Sequence, residues 1–539
     1  MRRSAAHPTP RRAGIARAGL AAALITAPVA FGTPALAQRN LTIGIGGSPT
    51  SLDPHFYNAS PNISLTMHLF DRLVEQDPQA RIQPALAESW RAVSDTVWEF
   101  KLRAGVKWHD GRDFTADDVV FTVGRVPNVA NSPGSFAGFV RSIQRMEVVD
   151  PLTIRFHTAA PHPLLPTELA SIQIISRHAG DGAATEDYNS GRAAIGTGPY
   201  RLGSYRSGDR TEFTRNENYW RGAEPWARVS YRFMANDASR TAALLAGDVD
   251  VIDQVPSNDL ARLRADQRVS ISEIQGVRLI YMVPDYSRTE NPVLVTDNDG
   301  RPLPRNPFQD ARVRRALSIA IDRQALADRV MEGTAKPNGQ WLPPGSYSYN
   351  PAVAIPPLDP AGARRLLTEA GYPNGFRMTL TTPNDRYPND SRISQAVAQM
   401  WSRIGVRTEV NALPWSAYAS RAARQEFNMR LVGWGSVTGE ASYMLVNIFG
   451  TYNREARIGA SNSSRHSNPA LDALTARATA TLDDGEREKL LQEAVAMVDR
   501  ETAMIPLLQL VNFWATRRGI TYEPRMDERT VAMGARPAN

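Results

Sequence analysis

Within residues 98–118, WEFKLRAGVKWHDGRDFTADD, Trp98, Phe100 and Leu102 alternate with Glu99, Lys101 and Arg103. That is the period of a strand with one buried and one wet face. Gly105 permits a turn, and Val106 and Trp108 predict a second short strand that carries Lys107 and His109 outward. Thr115, followed three residues later by Asp118 and then by Val119, Val120 and Phe121, predicts a helix N-terminus. The same periods recur elsewhere. Residues 41–47, LTIGIGG, alternate like a strand and end in a Gly-rich turn, whereas residues 48–62 carry three prolines and predict a loop. Residues 63–74 have helical spacing. Strand patterns follow at 148–156, 198–205 and 229–234, and a helix at 238–247 that stops at Gly247.

The most linker-like region is 284–310, with five prolines and few apolar residues, separating two organised halves. Beyond it the spacing predicts an amphipathic helix over 313–331 and another over 359–370 that ends at Gly371. A strand over 378–382 leads into a loop at 383–390, then a helix over 391–404 and a strand over 407–413. After a loop at 433–442, residues 468–501 are strongly helical and 505–514 return to an apolar strand pattern. Strands interleaved with helices indicate α/β architecture.

Composition changes this picture at the N-terminus. Arg2, Arg3, Arg11, Arg12 and Arg17 precede an apolar run over 20–31 and the small-residue site Ala35-Leu36-Ala37, the pattern of a cleaved export signal over residues 1–37. Two arginine pairs suggest a twin-arginine route, but neither lies close to the apolar core, so Sec and Tat export both stay open. The five leader arginines account for +5 of the formal +7, leaving +2 on the rest of the 539-residue chain, which is no nucleic-acid footprint. Lysine occurs only at 101, 107, 336 and 489, and the arginines are scattered among acids. With no cysteine there are no disulfides, no thiolate chemistry and no lipidated cysteine at the leader junction, so a free, unanchored periplasmic protein is expected.

Candidate chemistry is sparse. The eight histidines, at 7, 55, 68, 109, 157, 162, 178 and 466, form no H-E-x-x-H pair, and there is no G-x-S-x-G elbow or Walker loop. Gly44-Ile45-Gly46-Gly47 reads as a plain turn rather than a phosphate loop. Asp117/Asp118 and Asp483/Asp484 sit where carboxylates complement helix dipoles. A His109/Asp110 acid-base pair is the one local alternative, though neighbours on a strand point to opposite faces. No catalytic or metal-ligating constellation and no cofactor is implied.

Longer motifs carry a resemblance. PALAESW at 84–90 and VWEFKLRAGVKWHDGRDFTADDVVFT at 97–122 are joined by SLDP at 51, GTGPY at 196, NENYWRG at 216 and LLAGDVD at 244. NPFQDARVRRALSIAIDR at 306 and LDPAGARRLLTEAGYPNGF at 358 follow in the same order. Together they resemble the family 5 extracellular solute-binding proteins, the peptide- and nickel-type receptors of ABC importers, with dipeptide- and oligopeptide-binding members. The resemblance implies a two-lobed periplasmic-binding-protein fold of type II closing on a ligand by a hinge. The lobes would be 38–283, with 505–539 returning to it, and 284–504, and the hinge would lie near Val283 and Ile505. It also implies a receptor without chemistry of its own that hands a small polar solute or peptide to an inner-membrane ABC permease. A monomer that binds no nucleic acid is expected. A secreted hydrolase with a scattered site, or a sensor or chaperone on the same fold, are the alternatives.

Carried over position by position, the resemblance makes Arg386 the fork for a ligand carboxylate, with Tyr387 beside it. The bland reading is a surface arginine paired with Asp385 or Asp390. Where relatives hold a ligand ammonium with an acid after a Gly-Trp, this chain has Val437, which cannot pair with it. Glu440 is the alternative acid, or else a solvated one at the loop's edge. Trp415, Trp434 and Ser436 match pocket positions, with core packing as the alternative for the two tryptophans. Asn58, Ala59 and Ser60 match a rim loop that touches ligand, or a plain exposed loop.

Overall fold

The computed structural model describes residues 39–289, 295–384, 386–436, 438–456 and 458–538. Two long antiparallel strands, Val269–Pro284 and Ile505–Arg517, form the spine of a 12-stranded sheet. On one side of the pair the sheet continues through Val251–Ile252, Asn40–Ile45, Arg228–Phe233, Arg210–Arg215 and Tyr200–Arg206. On the other it continues through Met429–Gly435, Phe376–Pro383 and Val295–Thr296, with Val406–Leu413 beside Phe376–Pro383. The spine changes register between Gln275 and Leu279 and again between Ile280 and Tyr281. Such irregularities bend a strand and raise its twist. Gly276 lies where a Cβ would come within 2.8 Å of the Asn512 side chain, so the bend needs a residue without one.

Separate cores flank the spine. Leu41, Ile43, Tyr200, Phe213, Val229 and Tyr231 pack on one half of the sheet. A four-stranded antiparallel sheet, Ala87–Ser94, Val97–Leu102, Thr153–Thr158 and Ile143–Asp150, shares its own core with the helix Ala116–Arg125. Beyond the spine, Ile280, Leu317, Phe376, Trp401 and Leu431 form one core, and Leu279, Trp341, Leu445 and Leu491 another. No described helix is long and apolar enough to cross a membrane.

The alternation over 98–102 is a strand as expected, and Asp118 accepts the Thr115 N–H at the helix start. Two polar residues depart from their predicted faces. Glu99 is buried, held by Arg91 at 2.9 Å and Arg155 at 2.8 Å. His109 points inward, its Nε2–H donating to the Gly198 carbonyl at 3.0 Å while Nδ1 accepts the Gly196 N–H. Asp110 pairs instead with His178 at 2.6 Å, so no His109/Asp110 pair forms.

Four longer expectations are also corrected. The helix predicted over 63–74 is Ser60–Thr66 only, because residues 68 and 69 turn their carbonyls to the amides of Tyr200 and Gly198. The helix over 313–331 breaks after Ala311–Ile319, and the Asp322 carboxylate caps a new start at Arg323 by accepting the Ala325 N–H. The span 468–501 is two helices, Pro469–Ala480 and Asp484–Arg500, the second capped by Asp483. The linker-like 284–310 is a packed edge where it is described: Val295, Leu303 and Phe308 are buried in a core, and Asn306 donates to the Asp285 and Arg288 carbonyls.

Candidate functional site

Strands Phe376–Pro383, Val406–Leu413 and Met429–Gly435 run parallel, so Pro383, Leu413 and Gly435 end at one edge of the sheet. Ligand sites in α/β sheets form in crevices at such carboxyl ends, where loops diverge. The first strand leads into a loop with Arg386 and Tyr387, the second into the helix Trp415–Ala423 that opens on Trp415, and the third into Ser436, with Trp434 next to last in that strand.

Asp390 organises the first loop, its carboxylate accepting the backbone N–H groups of Arg386 and Tyr387 at 3.2 and 3.1 Å. Tyr387 is buried, and its hydroxyl donates to the Gly433 carbonyl at 3.0 Å, fixing the first loop to the third strand. Trp415 stacks on Tyr418 at 5.5 Å. The Arg386 guanidinium lies 5.3 Å above the Tyr387 ring and 5.4 Å above the Trp415 ring, so it is exposed yet held by two π faces. A guanidinium held this way keeps its donors for a carboxylate or carbonyl.

Arg386 lines a cavity of about 590 Å³. Thr334, Pro388 and Asn389, Leu510–Trp514 of the spine, residues 253–258, Asp237 and Glu528 complete its lining. The lining thus brings one cation, Arg386, together with three carboxylates, Asp237, Asp253 and Glu528. Glu528 is ion-paired with Arg278 at 3.3 Å, and Asp253 accepts the Gly46 N–H and the Thr530 hydroxyl. Burial pushes the Asp253 carboxyl up to about 6 against those bonds and the nearby Arg240. Asp237 is paired with Arg240 at 2.7 Å, so all three carboxylates have structural partners.

The other expected residues are placed differently. Trp434 is half-buried against Tyr443 at 5.7 Å, and its indole N–H has no acceptor among the described residues. Ser436 is buried, its hydroxyl donating to the Glu440 carbonyl at 2.7 Å. Glu440 is not a solvated loop-edge acid: it is buried, ion-paired with Arg487 and hydrogen-bonded by Ser442. Its charge is therefore already balanced inside the protein. Val437 lies outside the described residues. Asn58, Ala59 and Ser60 lead into the helix Ser60–Thr66, with Asn58 N–H on the Gly134 carbonyl, and none of the three lines the cavity with Arg386. The lining residues 254–258 and Glu528 had no signal in the sequence beyond turn and helix-start residues.

A family model described as bacterial extracellular solute-binding proteins, family 5 (Middle), matches residues 81–456. The chain is 31% identical over 482 residues to heme-binding protein A of Haemophilus influenzae, covering 85% of this chain and 83% of that one. It is 27% identical over 508 residues to the glutathione-binding protein GsiB of Escherichia coli O157:H7, covering 92% and 93%. The solved structure of HbpA2 from Haemophilus parasuis is similar with a TM-score of 0.82 at 26% identity, over 93% of this chain and 100% of that one.

Proposed function

Because the chain belongs to the bacterial extracellular solute-binding proteins of family 5 and has their two-lobed type II fold, we propose that it captures a peptide-like or other polar organic solute between its lobes. It then presents the solute to an inner-membrane ABC permease as a monomeric periplasmic receptor, after removal of residues 1–37. The observation that carries this reading is the cavity beside the spine, lined by Arg386 together with residues 254–258 and Glu528, which are remote from it in sequence. A pocket shared by two bodies gains its full contacts only when they approach, so solute binding favours closure.

In this reading the first lobe is 38–283 with 505–539 returning to it, and the second is 284–504. The register change between Gln275 and Leu279 supports bending slightly before the expected crossing at Val283. Arg386 takes a carboxylate of the solute, and Tyr387 and Trp415 hold its guanidinium in place. With valine at 437 and Glu440 engaged by Arg487, the solute carries no bare ammonium at that end.

The test begins with the solute that co-purifies with the natively folded chain, identified by mass spectrometry after gentle denaturation. Small-angle scattering of the protein stripped and then reloaded with it should show a smaller radius of gyration in the loaded state. The solute should also be recovered unchanged, as a receptor requires. A stoichiometric complex with an unaltered radius removes the interlobe site, and a chemically altered solute makes the protein a hydrolase.

A further inference from the structure

A second cavity, of about 400 Å³, lies away from the one that Arg386 lines and shares no lining residue with it. Its walls come from the hairpin strand Val74–Gln76, from the segment around Arg221, and from the C-terminal segment around Arg525. Arg72 lines it, is only 3% exposed, and has two guanidinium atoms, Nε and Nη2, without an acceptor among the described residues. A buried polar donor left unpaired is costly, and a buried unpaired charge more so.

The neighbouring charges do not supply the missing partner. Arg525 takes the Asp527 carboxylate at 2.8 Å, and Arg529 Nη1 lies 3.3 Å from that carboxylate as an ion pair without hydrogen-bond geometry. Glu75 is paired with Arg221, and Glu224 with Arg536, each at 2.6 Å. Asp71 accepts from Thr197, Tyr219 and Trp220. Asp77 accepts the Arg81 guanidinium and two backbone N–H groups, and Glu523 is exposed at the mouth. Two arginines therefore share Asp527, and the Arg72 guanidinium has no ion pair among the described residues. Burial and the adjacent Arg529 push Arg72 down to about 9, which still leaves it protonated at neutral pH.

We propose that this first-lobe cavity is an oxyanion site in which Arg72 takes a phosphate or carboxylate group through its guanidinium fork. A planar fork with free donors matches two oxygens of such a group. The cavity is also large enough to admit more of a small molecule than the anionic group alone. Bound there, the anion balances the arginine cluster that ties the hairpin strand to the C-terminal segment, where Arg525 also donates to the Gln76 carbonyl at 2.9 Å.

The proposal is tested by thermal unfolding of the full mature chain, titrated separately with phosphate, acetate and chloride at constant ionic strength. The wild type should show a saturable rise in Tm with phosphate, acetate or both, and none with chloride. The two oxyanion arms tell an inorganic from an organic occupant. Arg72→Met should have a higher Tm than the wild type without oxyanion, and should need at least ten times more oxyanion for any comparable rise. Arg72→Lys keeps the charge but not the fork, and should respond at an intermediate concentration. In case the methionine variant does not fold, the ³¹P linewidth of phosphate with wild type alone gives the direct reading, and it should broaden until competed by acetate. Equal responses in wild type and Arg72→Met, a response to chloride equal to that to the oxyanions, or no response and no broadening each overturn the assignment. None of these outcomes depends on the solute held between the lobes.

Discussion

Arg386 and Glu440 are both charged residues in loops at one edge of the sheet, and burial gives them opposite roles. The Glu440 and Arg487 side chains are 4% and 7% exposed, so removing the carboxylate leaves the buried guanidinium with only the exposed Asp484 carboxylate at 3.1 Å. Glu440→Ala should cost about 3–5 kcal/mol in denaturant unfolding while leaving the affinity of the folded fraction for the co-purified solute unchanged. Arg386, exposed over two rings, should behave the other way. Arg386→Ala is expected to shift stability by no more than about 0.5 kcal/mol and to cost about 2 kcal/mol, or roughly thirtyfold, in affinity. Arg386→Lys should recover only part of that. A stable Glu440→Ala with weakened binding would return Glu440 to the site, and unchanged binding in Arg386→Ala would take Arg386 out of it.

At the scale of elements, two glycines show what a pattern of apolar residues leaves unsaid. Gly196 and Gly198 belong to the motif GTGPY, and an added Cβ would sit 1.7 Å from the Leu69 carbonyl oxygen at the first and 2.6 Å from the Leu69 carbonyl carbon at the second. This close approach pulls residues 68 and 69 out of the predicted helix and gives His109 its partners. Gly196→Ala must push backbone from backbone, and should destabilise by about 3 kcal/mol. Gly124, in the exposed interior of Ala116–Arg125, meets nothing within 4 Å, so Gly124→Ala should stabilise by up to about 1 kcal/mol in the same unfolding assay. A neutral Gly196→Ala would mean that the chain relaxes around Leu69. Elements whose neighbours are close in sequence, such as the strand through Phe100 and the helix stop at Gly247, were legible from period and turn chemistry alone. Glu99 and His109 were misassigned because their partners, Arg155 and Gly198, are remote, and no local period encodes a remote partner. The breaks at Asp322 and Asp483 were hidden for a related reason: helical spacing continues on both sides of a cap. For the candidate site, the expectation at Arg386 came only through resemblance, and residues 254–258, which line the same cavity, are ones that a turn would equally use.

For the whole molecule, three buried histidines set the response to acid. His55 Nδ1 accepts from Arg125 while its Nε2–H donates to the Gln173 carbonyl. His68 Nε2 accepts the Ala532 N–H while Nδ1–H donates to the Leu65 carbonyl, and His109 accepts from Gly196 in the same fashion. In each ring the second nitrogen already faces a donor, so a second proton would have to break that bond. Burial first, with Arg125 adding to it at His55, pushes all three down to about 4. An unfolded histidine titrates near 6.5, so between about pH 6.5 and 4 the unfolded chain binds the extra protons and the folded chain does not. Stability is therefore full above pH 6.5 and falls as the pH drops through this window, by up to about 3 kcal/mol per histidine. Asp253 opposes this, because its raised value makes the folded state bind a proton between about 6 and 4, and it offsets about one histidine. Asp527, held down to about 2 by Arg525 and Arg529 despite its burial, loses its contribution only below that window. The unfolding free energy in urea should thus drop by several kcal/mol from pH 7 to pH 4.5. His109→Gln, which keeps a donor at the Nε2 position and does not titrate, should reduce the drop by about one half, since Asp253 already offsets one of the three histidines. A pH-independent midpoint over that range, or a slope unaltered in His109→Gln, would show that these rings take up protons without leaving the fold.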